Sequence, residues 1–218
     1  MDEAKLMGIQ HSQQDAWNAI AKIWKGYRQK PFRDIQTFID IILASKPGRI
    51  LEIGCGSARN LVNFARNGFQ CFGIDFSEEM LNYARQFAKD NKIKLGLKYG
   101  WAQNIPFPRN SFDYVLNIAV IHHLKKEDRF HSLKEMLRIM KPGGIAIVTA
   151  WNKFNPKFWK FLLKKETFIP WKINDIVYHR YYYFFSFFEL KNLIKKAGFK
   201  IIKSSSPFAR NISFIVRK

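Results

Sequence analysis

Apolar residues recur at Ala16, Trp17, Ile20, Ala21 and Trp24, the spacing of an amphipathic helix, and predict one over residues 13–24. Pro31 cannot continue a helix, so residues 25–32, with their cations and aromatics, are expected as a loop. A second helix is predicted over 33–44, with Ile35, Phe38, Ile41 and Ile42 inward. From Arg49 the pattern changes. Short apolar runs at 49–53, 70–74, 94–99, 112–118 and 145–150 alternate with helical stretches at 60–66, after Ser77, and at 127–140, where Phe130, Leu133, Leu137 and Met140 share a face. Lys141-Pro142-Gly143-Gly144 reads as the break before the fifth strand. Strands and helices in this rhythm predict a parallel sheet joined by right-handed crossovers. A final helix over 187–197, capped by Gly198, precedes two strands at 199–204 and 212–217, an antiparallel pair for the sheet edge.

The chemistry is concentrated where the first strand ends. Glu52-x-Gly54-x-Gly56 makes a strand, a glycine turn and a helix start, a place where a ligand meets main-chain N–H groups without a Cβ in the way. Asp75, closing the second strand, is placed to accept hydrogen bonds from both hydroxyls of a ribose. The spacing lacks the third glycine of a dinucleotide fingerprint, because Ser57, Ala58 and Arg59 follow Gly56. A nucleoside cofactor is the expected ligand.

Composition adds a second ligand. The 218 residues carry 37 Lys and Arg against 17 Asp and Glu, a net charge of +20, which points to a polyanion such as nucleic acid. Acidic residues do not rise with the basic ones, as they would on a heat-adapted surface. Between Trp151 and Leu190 the cations interleave with Phe154, Phe158, Trp159, Phe161, Phe168, Trp171, Tyr178, Tyr181, Tyr182 and Tyr183, the mixture that single-stranded RNA recognition uses, although about half of these rings suit a core. Cys55 and Cys71 fall in or beside core strands, which fits neither a disulfide framework nor a metal site. No signal-like segment and no run long enough for a membrane span is present, so a cytoplasmic protein without metal is expected.

The stretch Glu52 to Ala58 resembles motif I of the class I S-adenosylmethionine-dependent methyltransferases, with Ala58 at the position of the usual third glycine and Trp101 where many members have an acid. The resemblance covers about residue 47 to the C-terminus. It implies a seven-stranded Rossmann-like α/β sheet with helices on both faces, S-adenosylmethionine as cofactor, and a site built from Glu52, Gly54, Gly56, Asp75, Ala102 and Asn117. One domain is expected over 1–218: a helical extension (1–46), a cofactor core (47–150), a basic aromatic insert (151–190) and a closing helix and hairpin (191–218).

Ile118-Ala119-Val120-Ile121-His122-His123, Trp151, Phe168-Ile169-Pro170-Trp171, Tyr178-His179-Arg180-Tyr181-Tyr182 and the Arg28-x-Lys30-Pro31 loop look more specifically like the tRNA wobble-uridine methyltransferases that esterify 5-carboxymethyluridine. This resemblance implies a tRNA anticodon loop as substrate and a small zinc-binding activator as partner. Arg28, His122, His123 and Arg180 are then the expected catalytic residues, and Lys30, Trp151, His179 and Tyr181 the substrate-binding ones. A carboxylate, with an ordinary pKa near ~4, is ionised at neutral pH and needs positioning rather than proton abstraction. Two alternatives use the same fold: a small-molecule methyltransferase, which has no need of the charge, and a non-catalytic RNA-binding subunit, which a failure to bind S-adenosylhomocysteine would favour over either enzyme.

Overall fold

The computed structural model describes residues 12–27, 35–161 and 163–218. Its strands are β1 (Arg49–Ile53), β2 (Gln70–Asp75), β3 (Leu95–Tyr99), β4 (Phe112–Ile118), β5 (Met140–Trp151), β6 (Glu166–Ile173), β7 (Ile176–Tyr183), β8 (Lys200–Ser204) and β9 (Asn211–Arg217). Seven form one sheet in the order β3-β2-β1-β4-β5-β9-β8, parallel except for β9, which runs antiparallel to both β5 and β8. The strand β6 pairs with β7 as a separate antiparallel hairpin. The helices are α1 (Gln13–Tyr27), α2 (Gln36–Leu43), α3 (Leu61–Arg66), α4 (Glu78–Asp90), α5 (Lys126–Ile139) and α6 (Phe187–Ala197).

Alternate residues of each central strand feed two cores. Leu51, Val115, Val148 and Phe214 pack with α5 and α6 on one face, whereas Ile50, Leu116, Ile147 and Ile215 pack with α2, α3 and α4 on the other. Burial on both sides is what makes these strands apolar runs rather than alternating ones. Short polar caps fix the helix starts: Ser77 Oγ accepts from Met80 N–H, and Ser186 Oγ from Glu189 N–H. Gly198 closes α6 at φ 106°, in the left-handed region.

Three expectations are corrected. In α2 the buried set is Ile35, Phe38, Ile39 and Ile42, with Ile41 exposed; only that set has the i, i+3, i+4, i+7 spacing of one face. The inward face of α5 is Arg129, Ser132, Leu133, Met136 and Ile139, with Phe130 and Leu137 only half-buried. A buried arginine turned that helix, and a count of apolar positions alone misses it. Lys141–Gly144 does not interrupt β5, which starts at Met140 opposite Phe112 and absorbs the Pro-Gly-Gly segment in an irregularity between Phe112 and Tyr114.

Among the described residues no helix is long and apolar enough to cross a membrane, and no group of His, Cys, Asp and Glu is arranged to hold a metal. Both cysteines are buried and free.

Candidate active site

The order of strands reverses between β1 and β4, and the crevice beyond their C-terminal ends is where an open α/β sheet takes its ligand. Gly54 (φ 60°) and Gly56 (φ 52°) turn the chain there through the left-handed region. A Cβ on Gly54 would stand 2.6 Å from Val120 Cγ2, so this glycine also admits the turn that follows β4. Gly56 N–H donates to Asp75 Oδ2 (2.9 Å) and Ser77 N–H to Oδ1 (3.0 Å), which aims the carboxylate across the crevice. Two alanines, Ala58 (φ 57°) and Ala119 (φ 59°), also hold left-handed backbone beside the crevice. Each conformation costs an alanine roughly 1–2 kcal/mol.

Burial governs the electrostatics. Desolvation pushes the Glu52 carboxyl up to about 8 against the stabilising Asn60 hydrogen bond (2.6 Å to Oε1), and its Oε2 has no hydrogen-bond partner among the described residues. Asp75 is raised by burial to about 6, held down by the Ser77 and Gly56 N–H groups, and is ionised at neutral pH. Asn117, wholly buried near the end of β4, leaves Oδ1 without a hydrogen-bond partner among the described residues. Ala102 packs half-buried against the core after β3, near the Trp101–Phe76 ring pair at 5.0 Å. Two buried oxygens without partners among the described residues, a Cβ-free turn and an ionised Asp suit a ligand with a ribose and cationic groups. They fit S-adenosylmethionine, with Asp75 for the ribose hydroxyls and Glu52, protonated in the ligand-free protein, ionising against a bound cation.

On the β5 side the materials change. His122 and His123 lie in a short 3-10 turn, Ile121–His123, directly after β4. His122 is fully buried and stacked at 5.0 Å on Trp151, whose ring stacks in turn on Tyr182 (4.4 Å) and Phe158 (4.5 Å). Trp151 N–H donates to His122 Nδ1 (3.4 Å), which places the ring proton on Nε2, a group with no partner among the described residues. His123 Nδ1 lies 3.0 Å from the Tyr181 carbonyl, which can only accept, so that nitrogen carries the proton. Burial, with the neighbouring His123, holds His122 well below the usual histidine range. Burial and the Arg180 charge bring His123 down to about 4. Both are neutral at pH 7.

Arg180 is buried, with its guanidinium 4.5 Å from the Trp171 ring centroid, 5.2 Å from Tyr182 and 5.8 Å from Trp17. The helix α1 joins the halves. Gln13 bonds the β7 backbone at His179 O and Tyr181 N, Trp17 meets His123 edge-on at 5.0 Å, and Asn18 accepts from Ser77 Oγ (2.6 Å) beside Asp75.

The structure thus brings together Glu52, Gly54, Gly56, Asp75 and Asn117 in one half, and His122, His123, Trp151 and Arg180 in the other. Arg28 and Lys30 lie outside the described residues. Tyr181 departs from expectation: its hydroxyl donates to Glu166 Oε2 (2.5 Å) and accepts from Arg129 Nη2 (2.7 Å), which ties β7 to β6 and α5. By strand alternation Tyr181 and His179 share the side of β7 opposite Arg180 and Tyr182. The ring against the histidines is therefore Tyr182. Sequence reasoning missed it for want of the hairpin, which Asn174-Asp175, between two aromatic runs, already signals.

A methyltransferase-domain family model matches residues 51–148. A putative methyltransferase of Encephalitozoon cuniculi is 30% identical over 160 residues, 70% of each chain. The tRNA (carboxymethyluridine(34)-5-O)-methyltransferase of Schizosaccharomyces pombe is 25% identical over 211 residues, 86% of this chain and 88% of its own. A norajmaline N-methyltransferase of Rauvolfia serpentina is 33% identical over 115 residues, and the chain spans only 39% of its length. Among solved structures, a putative methyltransferase in complex with the Haloferax volcanii Trm112 methyltransferase activator matches with TM-score 0.73 at 18% identity, covering 94% of this chain and 97% of that one. Glycine turn, buried Asp75, strand order and relatives agree: the chain belongs to the S-adenosylmethionine-dependent methyltransferases.

Proposed function

We propose that this methyltransferase esterifies a carboxylate on RNA, the carboxymethyl group of a wobble uridine in a tRNA anticodon loop. The observation that carries the reading is the donor-only setting of His122: its Nδ1 is occupied by Trp151 N–H, so Nε2 can give a hydrogen bond and cannot take a proton. A nucleophile arriving there has to be ionised already, and a carboxylate is.

When bound, S-adenosylmethionine supplies a methyl carbon attached to a cationic sulfur. An ionised carboxylate would accept that methyl without giving up a proton, so the chain needs no base. The chain's own work is positioning. His122 Nε2–H holds the attacking oxygen, Arg180 supplies positive charge toward the carboxylate, and half-buried Trp151, backed by Tyr182 at 4.4 Å, turns its exposed part to a base. Trp151, Arg180 and the +20 charge support an RNA rather than a small molecule, as does the likeness to the fission-yeast enzyme over most of both chains. A small activator subunit is proposed as partner, supported by the fold neighbour solved with one.

The test is methyl incorporation from labelled S-adenosylmethionine into total tRNA of a strain lacking this gene, with and without the activator, followed by nucleoside mass spectrometry. A methyl-esterified wobble uridine is expected. Cofactor binding with no RNA methylation under either condition would overturn the reading.

A further inference from the structure

Beyond the slot proposed for the base, residues 152–155 meet the turn between β8 and β9 at the same end of the sheet, next to Trp151. Phe154, Trp159 and Phe208 stand 52%, 63% and 87% exposed there. They are not on slack loops. Asn152, wholly buried, donates through Nδ2 to the carbonyls of Pro207 and Ala209 (2.8 Å each), on either side of Phe208, and accepts Phe154 N–H on Oδ1 (3.1 Å). Asn155 repeats the device, with Nδ2 to Arg210 O (3.1 Å) and Oδ1 from Lys157 N–H (3.0 Å). One buried amide therefore fixes the backbone beneath two solvent-facing phenylalanines, which are presented rigid and lose little freedom on binding a ligand.

The charge around them has one sign. Residues 136–165 and 190–218, the stretches that meet at Asn152, contain seven and eight Lys or Arg and no Asp or Glu. Lys157 and Arg210 are exposed beside the rings, and Lys153 Nζ lies 5.7 Å from the Phe154 ring centroid. A stack also links this surface to the slot: His122 on Trp151, Trp151 on Phe158, and Phe158 next in sequence to exposed Trp159.

We infer that Phe154, Trp159 and Phe208, with Lys157 and Arg210, form a second nucleic-acid surface that holds unpaired nucleotides flanking the one in the slot. Ring faces stack on bases without sequence choice while the cations follow the phosphates. The inference rests on the RNA reading of the site, and it assigns part of the RNA grip to the turn between β8 and β9, outside the aromatic insert.

Three measurements on the full chain test it: anisotropy of a fluorescein-labelled oligo(U) of about ten nucleotides, steady-state methylation of tRNA, and S-adenosylhomocysteine affinity. The Phe154→Ala/Phe208→Ala protein, altered only at exposed rings, is expected to bind the oligonucleotide about tenfold or more weakly. Its KM for tRNA should rise in step while kcat and S-adenosylhomocysteine affinity hold. Lys157→Glu/Arg210→Glu should lower the slope of log affinity against log salt by about 1.4. If tRNA is methylated and the double-alanine protein keeps RNA affinity and KM within about twofold of the parent, this surface is wrong and the RNA reading stands. If its only losses are binding to phosphatidylserine vesicles, to the activator, or to itself in light scattering, the surface serves another partner and the inference fails. A parent that binds S-adenosylhomocysteine but neither tRNA nor oligo(U) overturns both readings.

Discussion

In the cofactor half of the crevice the working groups are backbone N–H, two glycines and short carboxylates set by adjacent residues: Gly56 to Asp75, Ser77 to Asp75, Asn60 to Glu52. The substrate half is walled by rings gathered from four places in the chain, Trp17, His122, Trp151 and Tyr182, with a buried guanidinium among them. Local polar geometry grips a ligand of fixed shape through a few strong hydrogen bonds. A slot beside packed rings, by contrast, would accept any flat base and leave selection to what lies beyond it. The two halves should therefore fail differently.

The largest separation is expected from Asp75→Ala against Trp151→Ala. Loss of two hydrogen bonds to a charged acceptor, each worth roughly 1.5–3 kcal/mol, should weaken S-adenosylhomocysteine binding on the order of 100-fold or more. Trp151→Ala should leave that affinity within about threefold and cut tRNA turnover, since stacking is worth about 1–3 kcal/mol per base. Calorimetry and single-turnover assays separate the two. Equal losses of cofactor affinity would erase the distinction between the halves.

Gly54→Ala strikes the place where the halves touch. A Cβ 2.6 Å from Val120 on left-handed backbone should cost about 3 kcal/mol, a fall of roughly 10 °C in Tm. A melting curve unchanged from the parent would mean that the β4 turn gives way freely.

The halves should also oppose each other in pH. Glu52 has a folded pKa raised from 4.5 to about 8, so the folded state holds the extra proton and the ligand-free protein loses stability as pH rises across that window. His123 is lowered from 6.5 to about 4, so its share of stability is full above 6.5 and lost as pH falls toward 4. Glu52→Gln should flatten the alkaline arm of a stability–pH curve, and His123→Gln the acid arm. Denaturant midpoints at several pH values measure both, and a Glu52→Gln curve with the parent's alkaline slope would discard the assignment.

The smallest effect expected is a gain. Ala58→Gly removes left-handed strain at a buried alanine and should add about 0.5–1 kcal/mol to stability without changing cofactor affinity, as read from denaturant midpoints.

How much of this was legible in the chain follows the same division. Strands β1 and β4 and helix α6 match their sequence spans because burial on both faces and a Ser-to-Gly pair of caps write themselves into adjacent residues. Glu52, Gly54, Gly56 and Asp75 are readable for the same reason. The choice between Tyr181 and Tyr182 is not local: it depends on β7 being a strand and on which side of it meets the histidine turn. Arg129 was invisible as an inward residue, since the groups that make its burial tolerable, the Glu166 carboxylate, the Tyr181 hydroxyl and the Tyr183 ring, come from distant elements. Phe208 belongs to a turn that Asn152 and Asn155, some fifty residues earlier in the chain, tie to the site.

The central claim is that this site positions an anion and abstracts no proton. It is tested most directly by the pH dependence of the single-turnover rate on tRNA at saturating cofactor. A rate level from about pH 6 to 9, falling only as the substrate carboxylate protonates near ~4, is expected. A rate climbing tenfold per unit between about pH 6 and 8 would reveal a titrating base and contradict the account.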